Sequence, residues 1–409
     1  MPLAAQAADK PLTLNEVLAA ADAAHPDLTM AESDLTAALA EKDQAASRQD
    51  FSLFLDGSLR TGQRPGGDWK PDNIGQIVAR KPLLDFGRTE QRVAAADQEV
   101  AARRAALLDV RAVRRIDLMA RFFDVLLADM QYAADNEFMA VSYVAWDNAK
   151  DRFAQGQMTQ PELLDLEARY QDVRERRNAS LQRLRSTRQK LANAMNRPDK
   201  LSVDLLDPML ANNERGVSEY EAMLPQVVER NPHIRVLNAQ IAASDARIAT
   251  IRSDRNPTLD AEIYGAGYSR ESVTRDRVSA ALLFNVPFYQ GNLIDARIAR
   301  ELALKDRLIA QREKLKMDLG ETLLDTLNEI EWLRGSGRPA ADKQIEYRDW
   351  TLERSRAEYE LEIKANLGTS LAETQVAKLR RKRVEYRLAL ALARLAALSG
   401  ELPGGNETN

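Results

Sequence analysis

In two parts of the chain, apolar and polar residues alternate with a period of two, as they do in a β-strand with one apolar face. The first part runs over about 51–62 and returns over 74–83, after a loop rich in glycine, proline and aspartate. The second runs over about 258–268 and returns over 277–287. The pattern predicts two β-hairpins, each with one apolar and one polar face. The apolar positions include Phe51, Leu53, Leu55, Leu259, Ile263, Leu282 and Phe284.

After each hairpin the period changes to that of an amphipathic helix. The first long helix is predicted over 87–155, which lacks glycine and proline after its first residue. At about 1.5 Å per residue it would span roughly 100 Å. The second is predicted over 291–361, with a break at 335–339 where Gly-Ser-Gly-Arg-Pro stands. Each is expected to turn at a tip, over 153–165 and 359–373, and to return as a further helix.

The sequence contains an internal duplication, with the same order of elements in each half. Repeat 1 covers 11–197, repeat 2 covers 218–403, and 198–217 links them. Each repeat consists of a helix, a proline break, a second helix, a hairpin, a long helix and a returning helix. The return strand of each hairpin ends in a proline and is followed by a glycine turn, at Pro82 and Gly87 in repeat 1 and at Pro287 and Gly291 in repeat 2.

The predicted fold class is mainly α with a small β part, built as a duplicated helix–hairpin–long-helix repeat. Four strands from one chain cannot close into a barrel, and lipid does not tolerate open strand edges. A membrane-spanning sheet would therefore require several copies to pool their hairpins. Strands of about ten residues suit a tilted crossing of the bilayer, but a soluble hairpin domain would show the same alternation. The long helices alone fit a soluble coiled-coil scaffold equally well.

Composition narrows the class of function. Charged residues make up 29% and aromatic residues 6%, which suits long solvated helices better than a compact core. The 58 basic and 62 acidic residues are interspersed, so nothing indicates nucleic-acid binding. The chain has no cysteine and only two histidines, which leaves few side chains for metal sites or for thiol and imidazole chemistry. We therefore expect no catalytic site, no cofactor and no metal.

The two ends of the chain lack a helical or strand pattern. Residues 1–10 contain Ala5-Gln6-Ala7, a small-x-small step of the kind that signal peptidase cleaves. They are predicted to be a signal-peptide remnant, with a flexible terminus as the equal alternative. Residues 404–409 are predicted to be a disordered tail.

The order of elements, repeated twice, resembles the TolC-like outer-membrane efflux family (outer membrane factors) over essentially the whole chain. Short segments agree with it: Thr13-Leu14 and His25-Pro26-Asp27-Leu28 at the start, Pro82-Leu83-Leu84-Asp85-Phe86-Gly87-Arg88 at the hairpin exit, and the tip segment from Arg152 to Ala168. The resemblance implies a homotrimer with a 12-stranded outer-membrane β-barrel on a 12-helix periplasmic α-barrel. It implies a passive exit duct in the outer membrane of a Gram-negative bacterium, serving a tripartite efflux or type I secretion system.

The same resemblance implies partners and site residues. The partners are a periplasmic adaptor (membrane fusion) protein, an inner-membrane pump and outer-membrane lipid, while the cargo stays open between drug, metal and secreted protein. The family's periplasmic gate falls on Tyr359, Lys364, Glu162 and Asp165, and its adaptor-contacting tips fall on Gly156, Gln157, Glu362 and Ile363. Glu362 stands where the first copy has glycine, which departs from the family pattern. The alternative for the gate residues is that they are ordinary solvated residues at helix ends.

Overall fold

The computed structural model describes residues 11–63, 65–198, 204–270, 275–361 and 366–403. These residues are mainly helical with a small antiparallel sheet, which confirms the predicted fold class. The terminal segments 1–10 and 404–409, for which a signal remnant and a tail are predicted, lie outside the described residues.

The helices and strands of the described part follow the duplicated order. The α-helices are α1 (Leu14–Ala19), α2 (Pro26–Ala46), α3 (Arg88–Ala154), α4 (Gln160–Ala194), α5 (Tyr220–Arg230), α6 (Pro232–Ser253), α7 (Leu293–Trp332), α8 (Arg338–Glu360) and α9 (Leu367–Leu398). The strands are β1 (Ser52–Ser58), β2 (Thr61–Gln63), β3 (Trp69–Pro71), β4 (Ile74–Leu84), β5 (Thr258–Tyr268) and β6 (Val278–Asn285). The linker between the repeats contains a 3-10 helix at Ala211–Glu214.

The chain divides into two compact units. One comprises Met1–Thr29, Leu108–Asn231 and Met317–Asn409, and we call it the helical unit. The other comprises Met30–Leu107 and Pro232–Lys316, and we call it the sheet unit.

The sheet unit contains a four-stranded antiparallel sheet in the order β1-β4-β5-β6. The pairs β1–β4 and β5–β6 are the two hairpins, and β4–β5 joins repeat 1 to repeat 2. In each repeat an ion pair joins the short helix before the hairpin to the long helix after it, with the charges exchanged. Lys42 of α2 pairs with Asp97 of α3 at 2.6 Å, and Lys305 of α7 pairs with Asp245 of α6 at 2.6 Å. The duplication therefore extends from the sequence into the packing.

Large side chains of α1, α3, α4 and α9 form the core of the helical unit. Phe122 and Phe123 of α3 are fully buried, and the Phe123 ring stacks on the Tyr386 ring of α9 with the centroids 4.4 Å apart. The Tyr386 hydroxyl donates a hydrogen bond to Asp207 Oδ1 at 2.7 Å, and burial raises the pKa of this phenol. An aromatic cluster of this kind fixes how α9 lies on α3.

The first hairpin differs from the expected single strand over about 51–62. β1 ends at Ser58, and the chain then forms a separate two-stranded ribbon, β2–β3. Between the two, the Arg60 N–H donates to Asn73 Oδ1 at 3.1 Å instead of to a backbone carbonyl, while the Arg60 carbonyl accepts from the Asp72 N–H at 2.7 Å. The ribbon keeps the register of the β1–β4 pair, so it extends the first hairpin beyond a short interruption, and part of the expected loop is itself sheet.

The expected break at 335–339 is a π-helical turn, Leu333–Gly337, between α7 and α8. Pro339 lies in the first turn of α8, directly after the π-helical turn, and lacks the N–H group that a continuous helix would use there. The glycines and the proline therefore widen the helix locally without ending it.

Candidate functional site: a two-faced sheet and the helical tips

The register of the sheet collects apolar residues on one face. In an antiparallel sheet, directly opposed residues lie on the same face, and alternate residues of each strand share it. One row crosses all four strands as Leu53, Ala79, Ile263 and Ala280. Further opposed pairs on this face are Leu55–Ile77, Ala261–Leu282, Leu84–Leu259 and Leu259–Phe284.

This apolar face is exposed in the single chain. The predicted lipid-face side chains Leu53, Leu55, Ile263, Leu282 and Phe284 are each more than half exposed, and Leu55 reaches 81%. Phe51, just before β1, is 69% exposed, whereas Leu259 is half-buried. An exposed apolar face that crosses all four strands is typical of a surface that contacts lipid or another protein.

The opposite face carries most of the charged and hydroxyl side chains of the strands; Lys81 is an exception, because it is opposed to Ala261 on the apolar face. The polar members of the opposite face are Ser52, Asp56, Ser58, Gln76, Arg80, Asp260, Glu262, Tyr264 and Ser279, and a row through Phe54 and Val78 interrupts them. Arg80 Nε donates to Glu262 Oε2 at 2.9 Å across β4 and β5. In β5 every residue of this face is half-buried, whereas Ile263 on the apolar face is exposed. The sheet thus has its apolar side outward, the reverse of a sheet that covers a core.

Left-handed backbone ends both hairpins at the predicted exit turns. Gly87 has φ +84° and Gly291 has φ +63°, a conformation that glycine adopts without cost. Pro82 lies within β4, where the pairing with β5 shifts by one residue between Pro82 and Leu84. Phe86 also has a positive φ of 50°, which is rare for a bulky residue, and its side chain is exposed.

The first helical tip is a compact turn between α3 and α4. Gly156 has φ +72°, its N–H donates to the Phe153 carbonyl at 2.9 Å, and the Gln157 N–H donates to the Arg152 carbonyl at 2.9 Å. This is the hydrogen-bond pattern with which helices end at a left-handed glycine. The glycine therefore places the exposed Gln157 at the extremity of the turn.

Two of the four predicted gate residues bond within their own helix. Glu162 Oε2 accepts from the Thr159 N–H at 2.7 Å and from the Thr159 hydroxyl at 2.8 Å, and these bonds lower the pKa of Glu162. Asp165 pairs with Arg169 at 2.9 Å, one turn further on. Tyr359 lies exposed in the last turn of α8. Lys364, together with the tip residues Glu362 and Ile363, lies outside the described residues.

An ion-pair cluster joins the loops of the two hairpins and has no counterpart among the sequence-based predictions. Asp72 is nearly buried and pairs with Arg275 at 2.7 Å as well as with Arg60. Hydrogen bonds from the two guanidinium groups hold the pKa of this carboxyl well below its usual range. The Arg275 guanidinium also lies over the Tyr268 ring, 5.2 Å from the centroid.

The described part of the chain has neither a cluster of metal ligands nor a helix that could span a membrane. No three histidine, aspartate or glutamate side chains there are grouped so that they could hold a metal ion. None of its helices combines the length and the apolar character needed to cross a membrane.

Comparison with known proteins shows what the chain resembles. No family model and no curated protein matches it. Among solved structures, the outer membrane protein VceC of Vibrio cholerae matches with a TM-score of 0.72 at 17% identity, over 95% of this chain and 96% of that one. The Campylobacter jejuni CmeC outer membrane channel matches with a TM-score of 0.75 at 13% identity, over 96% and 87%.

A third match is the open state of the Neisseria gonorrhoeae MtrE outer membrane channel, with a TM-score of 0.74 at 16% identity over 97% of this chain and 91% of that chain. At identities this low, the structural match establishes the fold alone. The coverage shows that the likeness includes both repeats. The chain therefore has the fold of the TolC-family outer-membrane efflux channels, as its sequence resemblance predicts.

Proposed function

We propose that this chain is one protomer of an outer-membrane export channel, a passive duct that carries cargo from the periplasm to the exterior. Its hairpins form the wall of the membrane-spanning part, and its long helices form the periplasmic part. The duct performs no bond chemistry and supplies no energy of its own. Its polar sheet face lines the passage, and Asp56, Asp260 and Glu262 lie on that face.

The observation that carries the proposal is the inverted sheet. Leu53, Ala79, Ile263 and Ala280 form an apolar row on one face, and three of these four side chains are exposed. On the opposite face, Asp260 and Glu262 of β5 are half-buried. In water this arrangement exposes apolar area at a cost of about 25 cal/mol per Å². In a bilayer it places apolar side chains against lipid and polar side chains around a water-filled passage.

The open edges of the sheet support assembly from several copies. β1 and β6 are the edge strands, and in the described part of the chain each pairs on one side only. Hydrocarbon offers no hydrogen bonds, so each unpaired backbone group there would cost several kcal/mol. Pairing β6 of one copy with β1 of the next removes both edges. The resemblance favours three copies, which together supply a 12-stranded barrel.

The same proposal assigns the partners. A passive duct needs an energised inner-membrane pump and a periplasmic adaptor that docks at the helical tips. The first tip presents Gly156 and Gln157 for that contact, and the second would use Glu362 and Ile363, which lie outside the described residues.

Three measurements on the purified full-length chain test the channel. The chain should float with lipid vesicles after extraction at high salt, and a native mass measurement should find three copies. Added to a planar bilayer, it should give discrete conductance steps. A water-soluble monomer that leaves vesicles and bilayers unchanged would refute the channel and favour the coiled-coil scaffold.

The gate at the periplasmic end is a further part of the proposal. Glu162 and Lys364 link neighbouring helices or subunits there, with Tyr359 and Asp165 beside them. Because an exposed ion pair contributes only about 0–1 kcal/mol, several such links around the trimer can close the duct and still open. Alanine at both Glu162 and Lys364 should raise the single-channel conductance, while Glu346→Ala, which removes an exposed acid of α8, should leave it unchanged. Equal conductance in all three proteins would remove the gate.

A further inference from the structure

Arginines gather around one aspartate where the strands of the sheet meet the helices. Asp254 follows α6 and precedes β5, and three guanidinium groups approach its carboxylate. The distances are 3.3 Å from Arg88 Nε, 3.7 Å from Arg297 Nη1 and 4.0 Å from Arg92 Nη2. Arg88 and Arg92 come from the start of α3, and Arg297 comes from the start of α7. These segments are far apart in the chain and converge at one end of the sheet.

Positive charge exceeds negative charge in this cluster. Arg48, which precedes β1, adds a fourth guanidinium close enough to Arg92 to lower its pKa, an effect second to burial. Asp85 is a second nearby carboxylate, and it already accepts the Thr89 N–H at 2.8 Å. A third, Asp295 at the start of α7, pairs with Arg255 at 2.5 Å. Five arginines and three carboxylates therefore gather here, and the difference leaves two positive charges uncompensated.

One nitrogen of the cluster also lacks a hydrogen-bond acceptor. Arg88 Nη2 donates to the Ser253 carbonyl at 2.9 Å, but Arg88 Nε is buried and has no hydrogen-bond acceptor among the described residues. The nearby Asp254 oxygen, at 3.3 Å, satisfies the ion-pair distance without forming a hydrogen bond. An unmade hydrogen bond at a buried charged group is costly, so Asp254 satisfies Arg88 incompletely. The donors open to an additional anion are those of Arg92 and Arg297, whose side chains are 30% and 52% exposed.

Exposed aromatic side chains surround the same end of the sheet. Phe51 precedes β1, Phe86 follows β4, and Phe288 and Tyr289 follow β6. Phe288 is 94% exposed and Tyr289 is 90% exposed in the single chain. Aromatic rings of membrane barrels form girdles at the level of the lipid headgroups. The arginine cluster thus lies at the border between the apolar sheet face and the helices, where a bilayer places its phosphates.

We propose that Arg88, Arg92 and Arg297 bind the phosphate of an anionic phospholipid headgroup, while the exposed aromatic side chains rest at the boundary with its acyl chains. This inference rests on the proposed function, because it requires the sheet to lie in a membrane. A zwitterionic headgroup would bring an ammonium group towards a cluster that already carries excess positive charge. The site therefore selects a lipid with net negative charge, such as phosphatidylglycerol.

The test compares lipid preference in the full-length assembly. The protein is placed in nanodiscs of phosphatidylcholine mixed with phosphatidylglycerol, and the lipids that stay bound after detergent extraction are counted by native mass spectrometry. The test variant is Arg92→Gln with Arg297→Gln, which leaves Arg88 and its backbone contact in place. The matched control is Arg354→Gln with Arg356→Gln, which removes the same charge from exposed residues of α8. Lysine at positions 92 and 297 retains the charge.

We expect the wild type, the control and the lysine variant to retain phosphatidylglycerol preferentially. The glutamine variant should lose about fivefold of that preference per arginine. An unchanged preference in the glutamine variant would overturn the lipid site. So would millimolar inorganic phosphate displacing the lipid, because the cluster would then bind free anions. If the glutamine variant changed ion selectivity in planar bilayers but not lipid preference, the cluster would face the lumen and the proposal would be wrong. Failure of the wild type to enter nanodiscs at all would instead refute the proposed channel.

Discussion

A single arginine placed on either side of β6 distinguishes a membrane sheet from a soluble one. Ala280 and Ser279 are neighbours in β6, so their side chains lie on opposite faces. Ala280 is opposed to Ile263 on the apolar face, and Ser279 is opposed to Tyr264 on the polar face. The variants Ala280→Arg and Ser279→Arg therefore carry the same charge at the same height and differ only in the face that receives it.

The expected difference follows from where this row lies. Ile263 is the central residue of β5, whose eleven residues run from Thr258 to Tyr268, so Ala280 is near the middle of the sheet. An arginine on the lipid face of a barrel costs about 2–4 kcal/mol at the bilayer midplane. An arginine at Ser279 would point into water, where a surface substitution changes stability by less than about 0.5 kcal/mol. In a soluble protein both variants would fall within that smaller range.

Urea unfolding of the protein folded into vesicles measures this difference, with the wild type as reference. We expect Ala280→Arg to lower the unfolding midpoint clearly and Ser279→Arg to leave it near the wild-type value. Equal midpoints for the two variants would refute the assignment of the apolar face to lipid. A larger loss for Ser279→Arg would mean that the two faces are reversed.

Three further predictions concern the helices. Glu162→Ala should speed amide exchange in the first turn of α4 above pH 4.5 and make no difference well below it, because the lowered pKa of Glu162 means that its capping contribution is lost as protonation proceeds. Gly400→Ala should lower the thermal midpoint by an amount equivalent to about 1–3 kcal/mol, since Gly400 has φ +73° and an added Cβ would lie 2.7 Å from the Arg230 carbonyl oxygen. The control is Gly335→Ala, where no atom lies within 4 Å of the added Cβ. Burial and a nearby arginine lower the pKa of His25 below 6.5, so the stability that depends on neutral His25 should be present above pH 6.5 and decline below it. The thermal midpoint of His25→Gln should therefore depend less on pH across this range than that of the wild type.

The elements of this fold could be predicted because their signals are local. Alternation of apolar and polar residues revealed both hairpins, and β4 and β5 span nearly the expected ranges. Glycine positions were equally informative, because Gly87, Gly156 and Gly291 all adopt left-handed backbone where a helix had been expected to begin or end. The apolar face could be predicted because apolar and polar residues alternate regularly within each strand. Antiparallel pairing then only brings the apolar positions of neighbouring strands to the same face.

Features that depend on distant partners could not be predicted. Asp72 pairs with Arg275, which is 203 residues away. With 58 basic and 62 acidic residues interspersed along the chain, every arginine has many candidate partners, and no local rule selects one. The arginines around Asp254 were missed for the same reason, because they come from separate strand–helix junctions. The interruption between β1 and β2 lies where the Asn73 side chain accepts the Arg60 N–H, a contact that only the folded hairpin brings about.

The duplication also indicates how copies join, if the proposed channel is correct. Within the chain, β4 and β5 are antiparallel neighbours, so the return strand of repeat 1 pairs with the first strand of repeat 2. The free edges are the return strand of repeat 2, β6, and the first strand of repeat 1, β1. A β6–β1 pair between copies would therefore repeat the β4–β5 pair within the chain, with apolar residues on the same side. In the proposed channel, the β4–β5 pair within a chain would be the template for the β6–β1 pair that closes the barrel, because the two repeats have the same order of elements. The sheet would then need no separate interface for assembly, and the same alternation that defines one hairpin would align all of them.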